Sequence, residues 1–375
     1  TLNEMRSNAI LVCHYFSGNS HAAGRYQADD PLPGWWDSLI GPDKAFDTNQ
    51  FFVICCDTLV NQNLNAIATG PAAINPATGL PFAMDFPEIT MRDFVNAQRQ
   101  VLRHFGIESL YAVAGPSMGS MQALTWAAAY PDEVGKVIAV IPAGLSSDAY
   151  LIERTEQWAT PIRLDPNWQQ GQYYGQTRPE QGLQACIRQI VLDALHPDYL
   201  NPIFGRRKND QGEFSILHSL QKRAAETAAL SDPNAILYLV RANQRYDLLE
   251  DLQQGDARTI TAPLLFIAAE SDLLLYPERA LAAANWLRTQ GKTVYWLTYE
   301  YLPEISAYML CYAQADTLTG NLPRIILIVG CILIAFLLLV FLFSKAMYRS
   351  ILKRLETLVT SMQAVEKNGD LSIRI

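Results

Sequence analysis

Ser117 is the side chain with the clearest nucleophilic chemistry. It sits in Ala-Gly-Pro-Ser-Met-Gly-Ser, residues 114–120, between the apolar run Leu110-Tyr111-Ala112-Val113 and a helical pattern starting at Met121. A Gly-x-Ser-x-Gly segment in a strand–turn–helix context is the pattern of a nucleophile elbow, in which a sharp turn lifts the serine Oγ above a sheet. Gly115 and Gly119 fit that role, because strand and helix can approach closely only where neighbours lack a Cβ. The helix that follows aims its N-terminal N–H groups at negative charge developing near that oxygen. A glycine-rich turn with an incidental serine is the alternative, and the flanking strand and helix patterns argue against it.

The elements that must position this serine are legible in the apolar periodicity. From Asn8 to about Thr298 short apolar runs alternate with helical segments, which implies an α/β fold with a mostly parallel sheet covered by helices. Candidate strands are Ala9–His14, Phe51–Asp57, Leu110–Ala114, Lys136–Ile141, Leu264–Ala268 and Thr293–Leu297. The polar, helical stretch between the fourth and fifth is too long for a crossover and reads as a helical cap inserted over the sheet's C-terminal edge, where such folds bind ligands. The expected units are 1–146 (first part of the core), 147–259 (cap) and 260–299 (second part of the core). The irregular loop Asn61–Pro87 is long enough to be functional. The chain opens at Thr1 without a methionine and reads as a fragment whose first strands lie upstream.

Composition narrows the function classes. The chain has 375 residues, half of them hydrophobic, and a formal net charge of −8, so it lacks the basic stripe that a nucleic-acid partner needs. Six cysteines, Cys13, Cys55, Cys56, Cys186, Cys311 and Cys331, show no CxxC spacing for a metal and read as buried reduced thiols.

Beyond residue 299 the character changes. After a linker at 300–322, the apolar run Ile325–Phe343 reads as a transmembrane helix spanning 323–344, followed by Lys345, Arg349, Lys353 and Arg354 on the cytoplasmic side. Ile351, Leu355, Leu358, Met362 and Val365 then recur as the a/d seam of a short coiled coil, which needs a partner helix and points to a possible homodimer.

Longer motifs carry a family resemblance. His14-Tyr15-Phe16-Ser17-Gly18, Pro33-Gly34-Trp35-Trp36, Ile40-Gly41-Pro42, Phe46-Asp47-Thr48, Thr69-Gly70-Pro71, Asn75-Pro76-x-Thr78-Gly79, Phe86-Pro87-x-Ile89-Thr90, Gly115-x-Ser117-Met118-Gly119-x-Met121-Gln122-Ala123-Leu124 and Tyr130-Pro131-Asp132 resemble the homoserine O-acetyltransferase family of α/β-hydrolase fold enzymes. The match covers about residues 1 to 299. It implies an acyltransferase that passes an acyl group from coenzyme A, through an acyl-serine, to a hydroxyl acceptor; acyl-CoA is then a co-substrate, no cofactor is bound permanently, and the setting is cytoplasmic. Ser117 is the implied nucleophile, with the backbone N–H groups of Met118 and Phe16 as the oxyanion hole. Asp272, after the strand Leu264–Ala268, takes the place of the triad acid, with Glu270 as its nearest rival.

Two departures stand out. The triad order in this fold is serine, acid, histidine, yet all five histidines (His14, His21, His104, His196, His218) precede Asp272. The triad histidine is therefore expected to be missing and activity impaired, with His14 the first to check as a substitute. The family's carboxylate-binding arginine, counted from Gly182-Leu183, falls on Ile187 with Arg188 beside it; Arg188 and Arg241 are the candidate substrate-binding residues. Residues 345–375, with Arg349-Ser350-Ile351-Leu352-Lys353, Met362-Gln363 and Gly369-Asp370-Leu371-Ser372, resemble part of a HAMP linker of bacterial sensor proteins. Three readings follow: acyl transfer or ester hydrolysis through Ser117, a membrane sensor using the hydrolase fold for binding, and an inactive chimera.

Overall fold

The computed structural model describes residues 1–30, 32–254 and 260–299. The expected linker, membrane helix and HAMP-like element, with Cys311 and Cys331, lie outside the described residues. Among the described residues no helix is long and apolar enough to cross a membrane.

In chain order the strands and helices are β1 (Ala9–Val12), β2 (Ile40–Gly41), β3 (Phe46–Asp47), β4 (Phe52–Cys55), α1 (Met91–His104), β5 (Ala112–Pro116), α2 (Met118–Ala129), β6 (Val137–Val140), α3 (Ala149–Leu164), α4 (Glu180–Asp193), α5 (Pro197–Phe204), α6 (Ser215–Ala228), α7 (Pro233–Gln244), α8 (Leu248–Gln254), β7 (Leu264–Ala269), α9 (Pro277–Thr289) and β8 (Val294–Tyr299). A six-stranded sheet runs β4-β1-β5-β6-β7-β8, and every pairing in it is parallel. All six expected strands appear in it, shifted by a few residues at their ends. Strands buried from both faces must be apolar along their length, and β1 and β5 are buried at every position.

The helices that flank the elbow show why their sequences fold as they do. Asp93 accepts from the Thr90 backbone N–H at 2.8 Å, a capping box that starts α1, and Met91, Phe94, Val95, Gln98 and Leu102 then repeat at helical spacing on its buried face. Helix α2 has no polar stripe; residues 118–127 are all buried, as expected of a helix enclosed within a core. The region between β6 and β7 holds α3 to α8 and, among the described residues, no strand of the main sheet. At its centre α7 is almost wholly buried, its N-terminus capped by the Asp232 carboxylate, which accepts from Ala235 N–H at 2.7 Å and from the Tyr173 and Tyr174 hydroxyls. Burial raises the pKa of Asp232 despite these donors. The same segment fastens the long loop to the inserted helices: Asp232 N–H donates to Gln62 O at 2.8 Å, and Tyr238 hydroxyl to Met84 O at 3.0 Å.

Candidate active site

Ser117 caps the N-terminus of α2, directly after β5, the third strand of the six. Its backbone has φ 53° and ψ −121°, a region that a residue with a Cβ occupies only at a cost of about 1–3 kcal/mol and only where the surroundings impose it. The surroundings do so. Ser117 N–H donates to Val140 O at 3.0 Å, while Ser117 O accepts from Ser120 N–H at 2.8 Å and from the Ser120 hydroxyl at 2.6 Å. A Cβ on Gly119 would lie 2.2 Å from Cys13 O, and one on Gly115 would lie 2.5 Å from the Gly119 backbone. The two glycines therefore allow the first turn of α2 to press against the end of β1.

That close approach brings the segment after β1 beside the serine. Met118 is fully buried, Phe16 nearly so, and among the described residues neither backbone N–H has a hydrogen-bond acceptor. Backbone N–H groups of buried residues are seldom left unpaired, and free donors on two adjoining segments are the raw material of an oxyanion hole. The Phe16 ring packs edge-on against Trp158 of α3, at 5.5 Å between centroids, which anchors this loop under the inserted helices.

Asp272 lies in the turn after β7, two strands along the sheet from β5. Its Oδ1 accepts from Leu274 N–H at 2.9 Å and Leu275 N–H at 2.7 Å. Burial nevertheless wins, and its pKa is raised above the ordinary aspartate value. Glu270 is exposed, so of the two acids it is Asp272 whose environment resembles that of a site.

The histidines are engaged elsewhere. His14 is fully buried: Nδ1 lies 2.7 Å from Tyr15 O, and Nε2 lies 3.1 Å from Thr58 N and 3.2 Å from Asn61 Nδ2. With both ring nitrogens committed, it has no lone pair left for the serine, and burial lowers its pKa so that the ring stays neutral. His21 Nε2 is 2.9 Å from Gly24 O, and His104 packs against Phe105 at the end of α1. His196 caps α5 by accepting from Asp198 N–H at 3.2 Å, and His218 is exposed on α6.

The two arginines fall in different places. Helix α4 turns Gly182, Leu183, Cys186 and Ile187 into the core, so Ile187 is buried. Arg188 lies on another face and lines a groove of about 400 Å³ with Gln184 and Gln221. A single residue step on a helix turns the side chain by about 100°, which separates the two. Arg241 sits over the ring of Tyr238 at 5.7 Å, behind the loop that Tyr238 fastens.

Cys13, Cys56 and Cys186 are free and buried, and Cys55 is free and half-buried. Burial raises their pKa values, that of Cys56 to about 12, which leaves them thiols at neutral pH. Among the described residues no group of three His, Cys, Asp or Glu side chains could hold a metal ion. Thr58, Asn61 and Gln122 bond His14, and Gln98 bonds Gln122; none was legible in the sequence, although Asn61 opens the loop singled out by its length.

Comparison with known proteins agrees with this fold. Residues 8–296 match the alpha/beta hydrolase fold family. The homoserine O-acetyltransferase of Geobacter sulfurreducens is 38% identical over 318 residues, covering 82% of this chain and 83% of that one. The crystal structure of homoserine O-acetyltransferase from Bacillus anthracis is 35% identical with a TM-score of 0.75, covering 84% of this chain and 89% of that one. The crystal structure of esterase E22 is 42% identical with a TM-score of 0.75, covering 84% of this chain and 91% of that one. The chain belongs to the homoserine O-acetyltransferase family of the alpha/beta hydrolase fold.

Proposed function

We propose that this chain transfers an acyl group from a coenzyme A thioester to a small hydroxyl acceptor through an ester on Ser117. The observation that carries the reading is the strained serine at the head of α2, with the unpaired N–H of Met118 next to it in the chain and that of Phe16 on the segment after β1 that α2 packs against. Ser117 Oγ attacks the thioester carbonyl, the C–O bond forms, and the carbonyl oxygen becomes an oxyanion held by Met118 and Phe16 N–H. The C–S bond then breaks, and coenzyme A leaves as the thiol with the serine's proton. In the second half the acceptor oxygen attacks the acyl carbon and forms the new ester bond, the bond between that carbon and Ser117 Oγ breaks, and Oγ regains a proton in exchange for the one the acceptor hydroxyl gives up. Each oxyanion donor is commonly worth about 10²- to 10³-fold in rate.

Asp272 is the acid of this arrangement, and in these 375 residues no histidine follows it. The proton of Ser117 then passes through solvent, and turnover is slow. Incubation with acetyl-CoA and homoserine, followed by thiol release and product analysis, tests the reading: slow acylation that vanishes in Ser117→Ala and rises with added imidazole is expected. Turnover unchanged in Ser117→Ala overturns it.

A second reading, ester hydrolysis with water as acceptor, is favoured by Ile187. That position, the family's carboxylate-binding arginine by resemblance, offers no charge to a homoserine carboxylate, and a 42% identical relative is an esterase. Acetate in place of O-acetylhomoserine as the product selects it.

Residues 323–344 carry the apolar run of a membrane-spanning helix, and the a/d seam beyond Ile351 would pair two copies. The reading is a paired, membrane-attached chain with its C-terminal coil in the cytoplasm; a single span would export the hydrolase domain away from coenzyme A thioesters, so this reading competes with acyl transfer. Fractionation of the full chain into the membrane pellet supports it, and recovery in the soluble fraction without detergent refutes it.

A further inference from the structure

Residues 14–18 carry the N–H of Phe16 yet belong to no helix or strand, so their position depends on neighbours. We propose that Asn61 and His14 form a clamp that holds this segment against the nucleophile, making both of them positioning residues. The proposal rests on the reading of Ser117 as the nucleophile.

The contacts form a closed circuit. Asn61 Nδ2 donates to Gly18 O at 3.0 Å and lies 3.2 Å from His14 Nε2, so one amide group grips both ends of the segment. Asn61 Oδ1 accepts from Asn63 N–H at 2.9 Å, which fixes which side of the amide faces the clamp. His14 Nε2 also accepts from Thr58 N–H at 3.1 Å, and Nδ1–H donates to Tyr15 O at 2.7 Å, so the tautomer is set from both sides. On the other side His14 O accepts from Gln122 Nε2 at 3.2 Å, and Gln122 lies on α2, the helix that Ser117 caps. The chain continues inward: Gln98 Nε2 donates to Gln122 Oε1 at 2.7 Å, and Trp126 Nε1 donates to Gln98 Oε1 at 2.8 Å. The segment is thus tied to the nucleophile's helix through its backbone and to the Thr58–Asn61 turn through its side chain.

The turn itself carries the second observation. Val60 has φ 58°, a left-handed conformation that a β-branched residue seldom adopts, and it is 1% exposed. Such strain persists only where its surroundings hold it, and it clusters at functional sites. Here it turns Thr58 N–H and the Asn61 amide toward the same ring nitrogen. His14 contributes as a neutral acceptor and donor and takes no proton from Ser117.

A misplacement of about 1 Å in a catalytic group costs about 10²-fold in rate, so loosening the clamp is predicted to slow chemistry and leave substrate binding alone. The test compares the wild type, Asn61→Asp, His14→Gln and Tyr130→Phe. Asn61→Asp keeps size and the acceptor for Asn63 but loses the donor. Tyr130→Phe removes a hydroxyl bond to Asn96 away from the clamp and serves as control. The probe is a fluorophosphonate: Ser117 Oγ forms the P–O bond, the P–F bond breaks, fluoride leaves, and the serine proton passes to solvent. At matched thermal stability the two clamp variants are expected to label about ten- to a hundred-fold more slowly than the control. With p-nitrophenyl acetate, kcat falls while KM holds. Labelling at the wild-type rate in folded Asn61→Asp overturns the clamp; if His14→Gln fails to fold, Asn61→Asp decides alone. A wild-type protein that does not label at Ser117 overturns the reading of the nucleophile, and the clamp with it.

Discussion

At the C-terminal edge of the sheet Ser117 and Asp272 end β5 and β7, and the chain holds them differently. Ser117 is locked by backbone: a left-handed φ, carbonyl and amide bonds to Ser120 and Val140, and glycines that let α2 meet the end of β1. Asp272 is held through its side chain by two amides of its own turn, in a buried setting that raises its pKa. The geometry of Ser117 is thus part of the core, whereas that of Asp272 is a local arrangement at the end of one strand. Substitutions near Ser117 should therefore disturb folding and chemistry together, and substitutions at Asp272 should separate the two.

The largest effect is expected for Ser117→Ala, which removes the attacking oxygen; fluorophosphonate labelling and acyl release should fall to background, and any retained labelling would show a different nucleophile. Gly119→Ala comes next. Its Cβ meets the Cys13 carbonyl, which belongs to backbone and cannot rotate away, so the end of β1 must shift. Overpacking of this kind costs about 1–3 kcal/mol, seen as a lowered melting temperature, together with slower labelling because the segment bearing Phe16 moves too.

Asp272→Asn tests the other end. The folded pKa is raised, so below the ordinary carboxylate range both states are protonated and the group contributes nothing. As pH rises the unfolded chain ionises first, and the folded state loses stability until pH passes the raised value, after which the loss levels off. The variant has no such slope, and Asn can still accept from Leu274 and Leu275 N–H. Its melting temperature relative to wild type should therefore rise between acidic and neutral pH; a difference independent of pH would contradict the burial argument. The same substitution should slow labelling by less than about ten-fold, against about 10⁴ for the acid of a complete triad, because no imidazole depends on it. The smallest effect belongs to Arg188→Ala. Turned about 100° from Ile187 on α4, it should change stability by less than about 0.5 kcal/mol and leave labelling unchanged; a loss of reactivity would place the groove it lines in the acyl-transfer path.

The strands and the elbow were legible because their causes are local. Apolar runs bounded by turn residues become buried parallel strands, and a serine between two glycines after such a run has few other conformations open to it. The role of His14 was not legible. Its type permits a base, a metal ligand or a buried hydrogen-bonding group, and only the arrival of Thr58 and Asn61 at the same nitrogen, 44 and 47 residues along the chain, makes it the third. The choice between Asp272 and Glu270 was likewise open, since the two acids, two residues apart, are told apart only by burial and by the amides that Asp272 meets in the folded chain.

By itself the sequence determined the six strands of the main sheet in chain order, the strand–turn–helix setting of Ser117 and the family, since these follow from short-range patterns of polarity, glycine placement and motif. Tertiary structure alone decided how segments distant in sequence meet: that His14 is saturated, that Asn61 links two loops, and that Val60 is held in a left-handed turn. Those outcomes depend on contacts between segments distant in sequence, and burial and hydrogen bonding of that kind are settled only when the chain has packed.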